Sequence, residues 1–325
     1  MIISKTPLRI SFVGGGSDLP SFYRLHGGAV VSTTIDKYVF VTVNKKFDDK
    51  IRIAYSQNEE VENVDDIQHK LVKPVMKLLN LSGGIEITTV ADIPSSGTGL
   101  GSSSSFTVGL LNSLNAYNAR FSSQEYLAKE SCHVEIDICK EPIGKQDQYA
   151  AAYGGFNLIE FKKDDTVVVN PVITKKETLD ELEDNILVFY TGITRSASSI
   201  LEKQNKIISE DSKVMSLKKM TELAYYMANE LQNNNLNVFG EILHENWILK
   251  KSLTEGISNN FIDDAYSTAI SAGAIGGKIL GAGAGGFLLF YVPPQFHKSV
   301  TSALSNLRKI DVKFDKLGSR IIFYN

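Results

Sequence analysis

The sequence predicts a mixed α/β protein of two domains, and three observations carry that expectation. The chain has 325 residues, more than one hydrophobic core comfortably organises. β-Branched and aromatic runs of strand character alternate with amphipathic helical stretches from end to end. At residues 85–117 a strand pattern feeds a glycine-rich loop that opens a helix.

In chain order, residues 2–13 read as a strand interrupted by Pro7, and the forced turn Gly14-Gly-Gly-Ser-Asp-Leu-Pro20 follows. Residues 30–35 and 38–43 read as two further strands, and 51–55 as another. A polar, acidic loop at 56–70 leads to a short amphipathic helix at 72–81. Residues 85–92 alternate as a strand, and Phe106, Leu110, Leu114 and Tyr117 share one face of the next helix. Residues 124–139 are helical, and 156–161 and 166–169 are strands. A charged stretch at 175–184 precedes an apolar strand at 186–191. The domain division therefore falls near 185, giving domains 1–185 and 186–325. Helices at 213–232, 239–253 and 261–270 follow, then a glycine-rich turn at 276–286 and a strand at 287–292. A helix at 295–307 and strands at 312–314 and 320–324 are expected to complete the second domain.

Composition narrows the function classes. The chain is 43% hydrophobic and 22% charged with a net charge of −3, which gives no electrostatic reason to expect nucleic acid or a membrane surface as partner. No apolar run reaches membrane-spanning length, and the N-terminus lacks a signal peptide pattern, so the expectation is a cytoplasmic protein. Cys132 and Cys139 lie seven residues apart and are expected to be reduced thiols. The five histidines are scattered without metal-ligand spacing.

The most informative stretch is Ile93-Pro-Ser-Ser-Gly-Thr-Gly-Leu-Gly-Ser-Ser-Ser-Ser-Phe106. Gly97, Gly99 and Gly101 let the backbone turn tightly and bring N–H groups to a ligand. The helix N-terminus adds unpaired donors and a positive dipole end, and Ser102, Ser103 and Ser104 add hydroxyls. An ordinary loop with a serine cap would read similarly, but the combination suits a phosphate. It is not a Walker A loop, because neither Gly144-Lys145 nor Gly277-Lys278 has the upstream glycine or the following Ser/Thr. The Gly281-x-Gly283-x-x-Gly286 run is not a dinucleotide fingerprint, because a strand rather than a helix follows it.

Pro94-x-x-x-x-Gly-Leu-Gly-Ser-Ser resembles the phosphate loop of the GHMP kinases, the galactokinase, homoserine, mevalonate and phosphomevalonate kinase superfamily. Thr6-Pro-Leu-Arg9 through Gly14-Gly-Gly-Ser-Asp18 resembles that family's first motif, and Gly276 through Gly286 its third, all in the family's order. Where galactokinases carry Glu-His, this chain has Gly15-Gly16, which argues against galactose. The resemblance implies a GHMP kinase fold, with a ribosomal-S5-like N-terminal domain and a ferredoxin-like C-terminal domain around the active site. It implies ATP as co-substrate on the 97–104 loop, and magnesium (Mg2+) held by Ser103 and Glu135, although the serine run alone does not say which hydroxyl reaches the metal. It implies Asp147, twelve residues after Glu135, as the carboxylate facing the acceptor hydroxyl, with Arg9 and Lys145 beside it. An aspartate there could equally cap a helix.

Gly14-Gly-Gly-Ser-Asp18, Gly144-Lys-Gln-Asp-Gln148 and Thr191-Gly-Ile-Thr-Arg195 most resemble the heptose 7-phosphate kinases within the superfamily. That implies an acceptor bearing its own phosphate, contacted by Gly15, Gly16, Ser17, Asp18, Gly283 and Arg195. Arg195 opposes a helix dipole, so it is either a neutral exposed placement or an anion ligand. The alternatives are a kinase of the same fold for an unphosphorylated sugar such as L-fucose, or an ATP and sugar sensor without turnover. A homodimer is open, since the sequence does not give the oligomeric state.

Overall fold

A computed structural model describes residues 1–93, 97–193, 200–202 and 210–325. Two sheets organise them, one of nine strands and one of four. In the larger sheet, β1 (Ile2–Val13) runs antiparallel to β2 (Gly28–Lys45). Pro7 does not break β1. Pro7 lies opposite Tyr38 and Leu8 opposite Ile35, so Asp36 and Lys37 bulge out of β2 where proline offers no N–H. The two strands expected at 30–35 and 38–43 are thus one bent strand of 18 residues.

Around this pair stand β3 (Ile51–Ala54), β4 (Asn58–Val61), β5 (Ile85–Ala91), β6 (Phe156–Phe161) and β7 (Val167–Pro171). Strand β5 pairs with β2, and β3 runs parallel to β5. The smaller antiparallel sheet has the order β11 (Arg308–Ile310), β8 (Ile186–Tyr190), β10 (Phe287–Tyr291), β9 (Gly276–Ile279). The last two strands depart from expectation: β12 (Phe314–Asp315) pairs with β2 and β13 (Arg320–Tyr324) with β1. They return to the first sheet rather than completing the second domain. Strand propensity marks where they are but not whom they pair with.

Among the described residues the helices include α1 (Pro20–His26), α2 (Val72–Leu78), α3 (Ser102–Tyr117), α4 (Gln124–Cys132), α5 (Gln146–Tyr153), α6 (Lys176–Asp184), α7 (Asp211–Gln232), α8 (Phe239–Leu253), α9 (Asn260–Ser271) and α10 (His297–Ala303). Pro20 starts α1 instead of ending a turn, because its missing N–H costs nothing at a first helical position. Helix α6 occupies the charged stretch, with Thr178 and Leu182 buried four residues apart on its single inward face. The helix expected over 124–139 narrows to α4, capped by the Ser123 side chain, and continues as a π-helical segment at His133–Ile138.

Both faces of the small sheet are packed. Val188, Leu289 and Tyr291 join the core that also holds the large sheet and α3, while Leu187, Phe189, Leu288 and Phe290 face a second core. That second core contains Trp247 and also Leu19 and Phe22 of the N-terminal part, which ties the two halves together.

Candidate active site

Gly97, Gly99 and Gly101 all have positive φ (69°, 79° and 75°), so the loop after β5 turns three times through backbone that other residues avoid. Helix α3 then begins at Ser102, and its first satisfied intrahelical donor is the Ser105 N–H, bonded to Gly101 O at 2.9 Å. The donors ahead of it face a cleft of about 570 Å³, lined by all three loop glycines and by Arg9, Gly15, Gly16, Asp18, Glu135 and Asp147. A helix terminus of this kind can hold an anion, and it opens onto acidic and basic side chains.

The serine run divides by role. Ser105 Oγ donates to Pro7 O at 2.8 Å and belongs to the core. Ser102 is buried against Thr98, with the two hydroxyls 3.3 Å apart. Ser103 is exposed, and its hydroxyl reaches Glu135 Oε1 at 3.2 Å. Ser104 donates to Glu135 Oε2 at 2.7 Å, and Thr107 donates to Oε1 at 3.1 Å. Gln148 of α5 completes the set with an amide donated to Oε2. Glu135 is 1% exposed on the π-helical segment. Burial raises its pKa and the nearby Asp147 charge adds to the rise, while the donors from Ser104, Gln148 and Thr107 pull it back.

Arg9 of β1 holds Asp147 of α5 closely. Arg9 Nε donates to Asp147 Oδ1 at 2.8 Å, Nη2 lies 2.6 Å from the same oxygen, and Nη1 donates to Gly99 O at 2.7 Å. Both line the cleft, and Asp147, 25% exposed against 4% for Arg9, is the more open member. Asp147 lies in the first turn of α5 after the Lys145 cap position, which has no side-chain cap, so it is not a helix cap. A β-carbon on Gly101 would lie 3.2 Å from Arg9 Cγ and 3.4 Å from Asp147 Oδ2, so a glycine there lets the pair sit against the phosphate loop. Asp18 is buried beside them and accepts the N–H groups of Gly16 (2.9 Å) and Gln146 (3.3 Å). Burial raises its pKa, with the Asp147 charge contributing.

Two expected contacts are corrected. Ser17 is fully buried and does not line the cleft; its hydroxyl donates to Gly14 O at 2.8 Å and accepts the Ala29 N–H at 3.1 Å, which locks the turn. Lys145, at the N-cap position of α5, directs its ammonium to Asp165 (3.2 Å to the carbonyl) and the Tyr23 ring, and it does not line the cleft. Gly283 does line the cleft, in a turn pinned by the Ala284 N–H to Ile257 O at 2.9 Å. Arg195 lies outside the described residues.

Residues 69–155 match the GHMP kinases N terminal domain and residues 227–306 the GHMP kinases C terminal region. The chain belongs to the GHMP kinases. The D-glycero-alpha-D-manno-heptose 7-phosphate kinase of Campylobacter jejuni is 32% identical over 319 residues, covering 93% of each protein. The crystal structure of a D-glycero-D-manno-heptose 1-phosphate kinase from Bacteroides thetaiotaomicron superposes with a TM-score of 0.82 at 28% identity over the whole of both chains. The bifunctional fucokinase/GDP-fucose pyrophosphorylase of Arabidopsis thaliana is 27% identical over 95% of this chain but 32% of its own length. This GHMP kinase is an ATP-dependent phosphotransferase acting on a sugar. Among its described residues no helix is long and apolar enough to cross a membrane.

The cleft is also lined by two buried lysines that the motifs do not mark. Lys250 of α8 is 5% exposed, lines the cleft and donates to Gly281 O. Burial and the Arg9 charge bring its pKa down to about 8, while Asp18 and Asp147 act against the fall. Lys278 of β9, 1% exposed, donates to Ser11 O at 2.6 Å and Phe12 O at 3.0 Å. A signal for Lys250 exists in the sequence. It falls three residues after Trp247 and seven after Leu243, on the buried face of α8, where a lysine needs a reason.

Proposed function

We propose that this kinase transfers the γ-phosphoryl group of ATP to the anomeric hydroxyl of D-glycero-D-manno-heptose 7-phosphate, giving the 1,7-bisphosphate for nucleotide-activated heptose synthesis in the cytoplasm. The observation that carries the reading is the Arg9–Asp147 pair set against Gly101, at the mouth of the phosphate loop. Phosphoryl transfer asks the protein mainly for in-line placement and charge stabilisation. The loop glycines and the α3 N-terminus would hold the ATP phosphates. Asp147, fixed by two guanidinium contacts, would orient the acceptor hydroxyl and accept its proton. Arg9 would neutralise charge as the phosphoryl group passes. Asp18, with Gly15 and Gly16, would meet the sugar hydroxyls.

The donor set also fits magnesium. Ser103 Oγ and the Glu135 carboxylate are hard oxygen ligands 3.2 Å apart on the cleft wall, and magnesium keeps waters for its remaining positions. When bound, the ion would neutralise charge on the β- and γ-phosphates, and it would offset the burial of the Glu135 carboxylate. A hollow lined by Pro74, Leu78, Ile138 and Cys139 together with Lys70, Lys73 and Lys77, and sharing Glu141 with the cleft, would receive the adenine.

The heptose reading is supported by the named activity of the Campylobacter relative. The fucokinase relative favours L-fucose as the second reading. ADP release should be measured with ATP, magnesium and a panel of heptose 7-phosphate, heptose 1-phosphate, mannose 6-phosphate, L-fucose and galactose. Turnover confined to heptose 7-phosphate is expected. Turnover on L-fucose alone would replace the acceptor. ATP binding without turnover on any sugar would favour a sensor.

A further inference from the structure

Two cations from opposite halves of the chain reach the same pair of glycine turns. Arg9 of β1 donates to Gly99 O at 2.7 Å, and Lys250 of α8 donates to Gly281 O. The turns themselves touch, since a β-carbon on Gly281 would lie 2.4 Å from Gly99 Cα. Lys250 therefore stands beside the phosphate loop, in the wall of the cleft. The charged groups around it are Arg9 on β1, Asp18 in the turn before α1, Asp147 on α5 and Lys278 on β9.

The two buried lysines differ in how their donors are used. Lys278 spends two donors on the Ser11 and Phe12 carbonyls and acts as a brace between the sheets. Lys250 makes one hydrogen bond among the described residues, to Gly281 O. An ammonium has three donors, and burying it with some of them unspent is costly unless an anion arrives. The cleft supplies the place for that anion. The lowered pKa, to about 8, leaves the group mostly protonated at neutral pH.

We propose that Lys250 is a catalytic residue that donates to the γ-phosphoryl group of ATP during transfer, opposite Arg9. This rests on the phosphotransfer assigned to the cleft. In the step, the bond from the γ-phosphorus to the β–γ bridging oxygen breaks and its electron pair leaves with ADP. A bond from the acceptor oxygen to phosphorus forms, and the acceptor proton passes to Asp147. Lys250 stays protonated throughout and contributes charge and hydrogen bonds only. Its contact with Gly281 O joins the C-terminal half to the reacting phosphate.

The test compares binding of ADP and of AMP-PNP, a non-hydrolysable ATP analogue, by titration calorimetry in the presence of magnesium. Lys250→Met should lose about tenfold or more in AMP-PNP affinity while ADP affinity stays within about twofold. Its kcat should fall roughly 10²–10³-fold. Lys250→Arg should retain most of the AMP-PNP preference. Equal losses for both nucleotides, or a raised acceptor KM with kcat unchanged, would overturn the assignment. If Lys250→Met does not unfold cooperatively, the wild-type protein decides. Its preference for AMP-PNP over ADP should shrink between about pH 7 and about pH 9.5 as the lysine deprotonates, and a flat preference overturns the proposal. No acceptor enters these binding measurements. Failure of the heptose reading therefore shows as absent wild-type turnover and leaves this test standing.

Discussion

Gly99 and Gly281 meet backbone against backbone, and neither has room for a side chain. A β-carbon on Gly99 would fall 2.3 Å from Leu280 O, and one on Gly281 would fall 2.4 Å from Gly99 Cα. Both have positive φ, 79° and 72°. The contact joins a loop of the N-terminal half to the β9–β10 turn of the C-terminal half, so the phosphate loop depends on both halves for its shape. Gly286 adds to it, since a β-carbon there would lie 2.3 Å from Thr98 O.

Gly281→Ala should therefore destabilise the protein by about 1–3 kcal/mol and raise the KM for ATP. Gly256→Ala is the control, because Gly256 has φ 89° but nothing within 4 Å among the described residues. It should show backbone strain of about 1–2 kcal/mol and no change in the KM for ATP. Thermal unfolding and ATP kinetics of both variants check this, and equal KM effects would remove the interlocking role.

Asp147→Asn keeps the shape of the side chain and removes its charge from beside Arg9. The expected result is a kcat lower by roughly 10²–10⁴-fold, with AMP-PNP affinity and Tm close to those of the wild type. Turnover within about threefold of the wild type would mean that Asp147 neither accepts nor orients the proton. A non-catalytic sensor would show no functional change.

The glycine loops were legible because their chemistry depends on residue type in a local pattern, whereas Arg9, Glu135 and Asp147 stood out only through the resemblance to the GHMP kinases; the structure brings all of them to one cleft. Three positive-φ glycines before a helix state their purpose in sequence. For Ser17 and Lys145, residue type and proximity in sequence say nothing about which way a side chain turns. Ser17 was needed by the Gly14 and Ala29 backbone, and Lys145 found Asp165 twenty residues away. The pairing of β13 with β1 joins residues more than 300 apart, and no local periodicity encodes that. Lys250 and Lys278 become informative only when burial is known.

Glu135 links stability to pH in a definite direction. Its folded pKa is raised, chiefly by burial, so the neutral form is the one the fold favours. The stability it contributes is complete below the unfolded carboxyl value, about 4.3, and is lost as pH rises through the raised folded value. Glu135→Gln is neutral throughout. The Tm of the variant relative to the metal-free wild type should therefore climb as the pH rises above the unfolded carboxyl value. Magnesium with AMP-PNP should raise the Tm of the wild type more than that of the variant. A Tm difference that does not change with pH would show that the buried carboxylate is not the cause.

The proposed sugar-phosphate acceptor would need a cation that the described cleft has not already committed. Arg9 is held by Asp147 and Gly99, Lys278 braces Ser11 and Phe12, and Lys250 is assigned to the γ-phosphoryl group. The chain ahead of Arg195 is fixed to the third glycine motif. The Thr191 N–H and hydroxyl both donate to Gly286 O at 2.9 Å, and the Gly286 N–H donates to Ile193 O at 2.8 Å. Farther along, Leu201 lines the cleft. Arg195 lies between these two anchored points in sequence, outside the described residues, and its guanidinium suits a phosphate dianion. Arg195→Ala should raise the KM for heptose 7-phosphate by roughly 10–100-fold and that for ATP by less than about threefold. Steady-state kinetics with each substrate varied in turn would read this. Equal rises would take Arg195 out of acceptor binding. An unchanged KM for the sugar phosphate would turn attention back to an acceptor without a phosphate of its own.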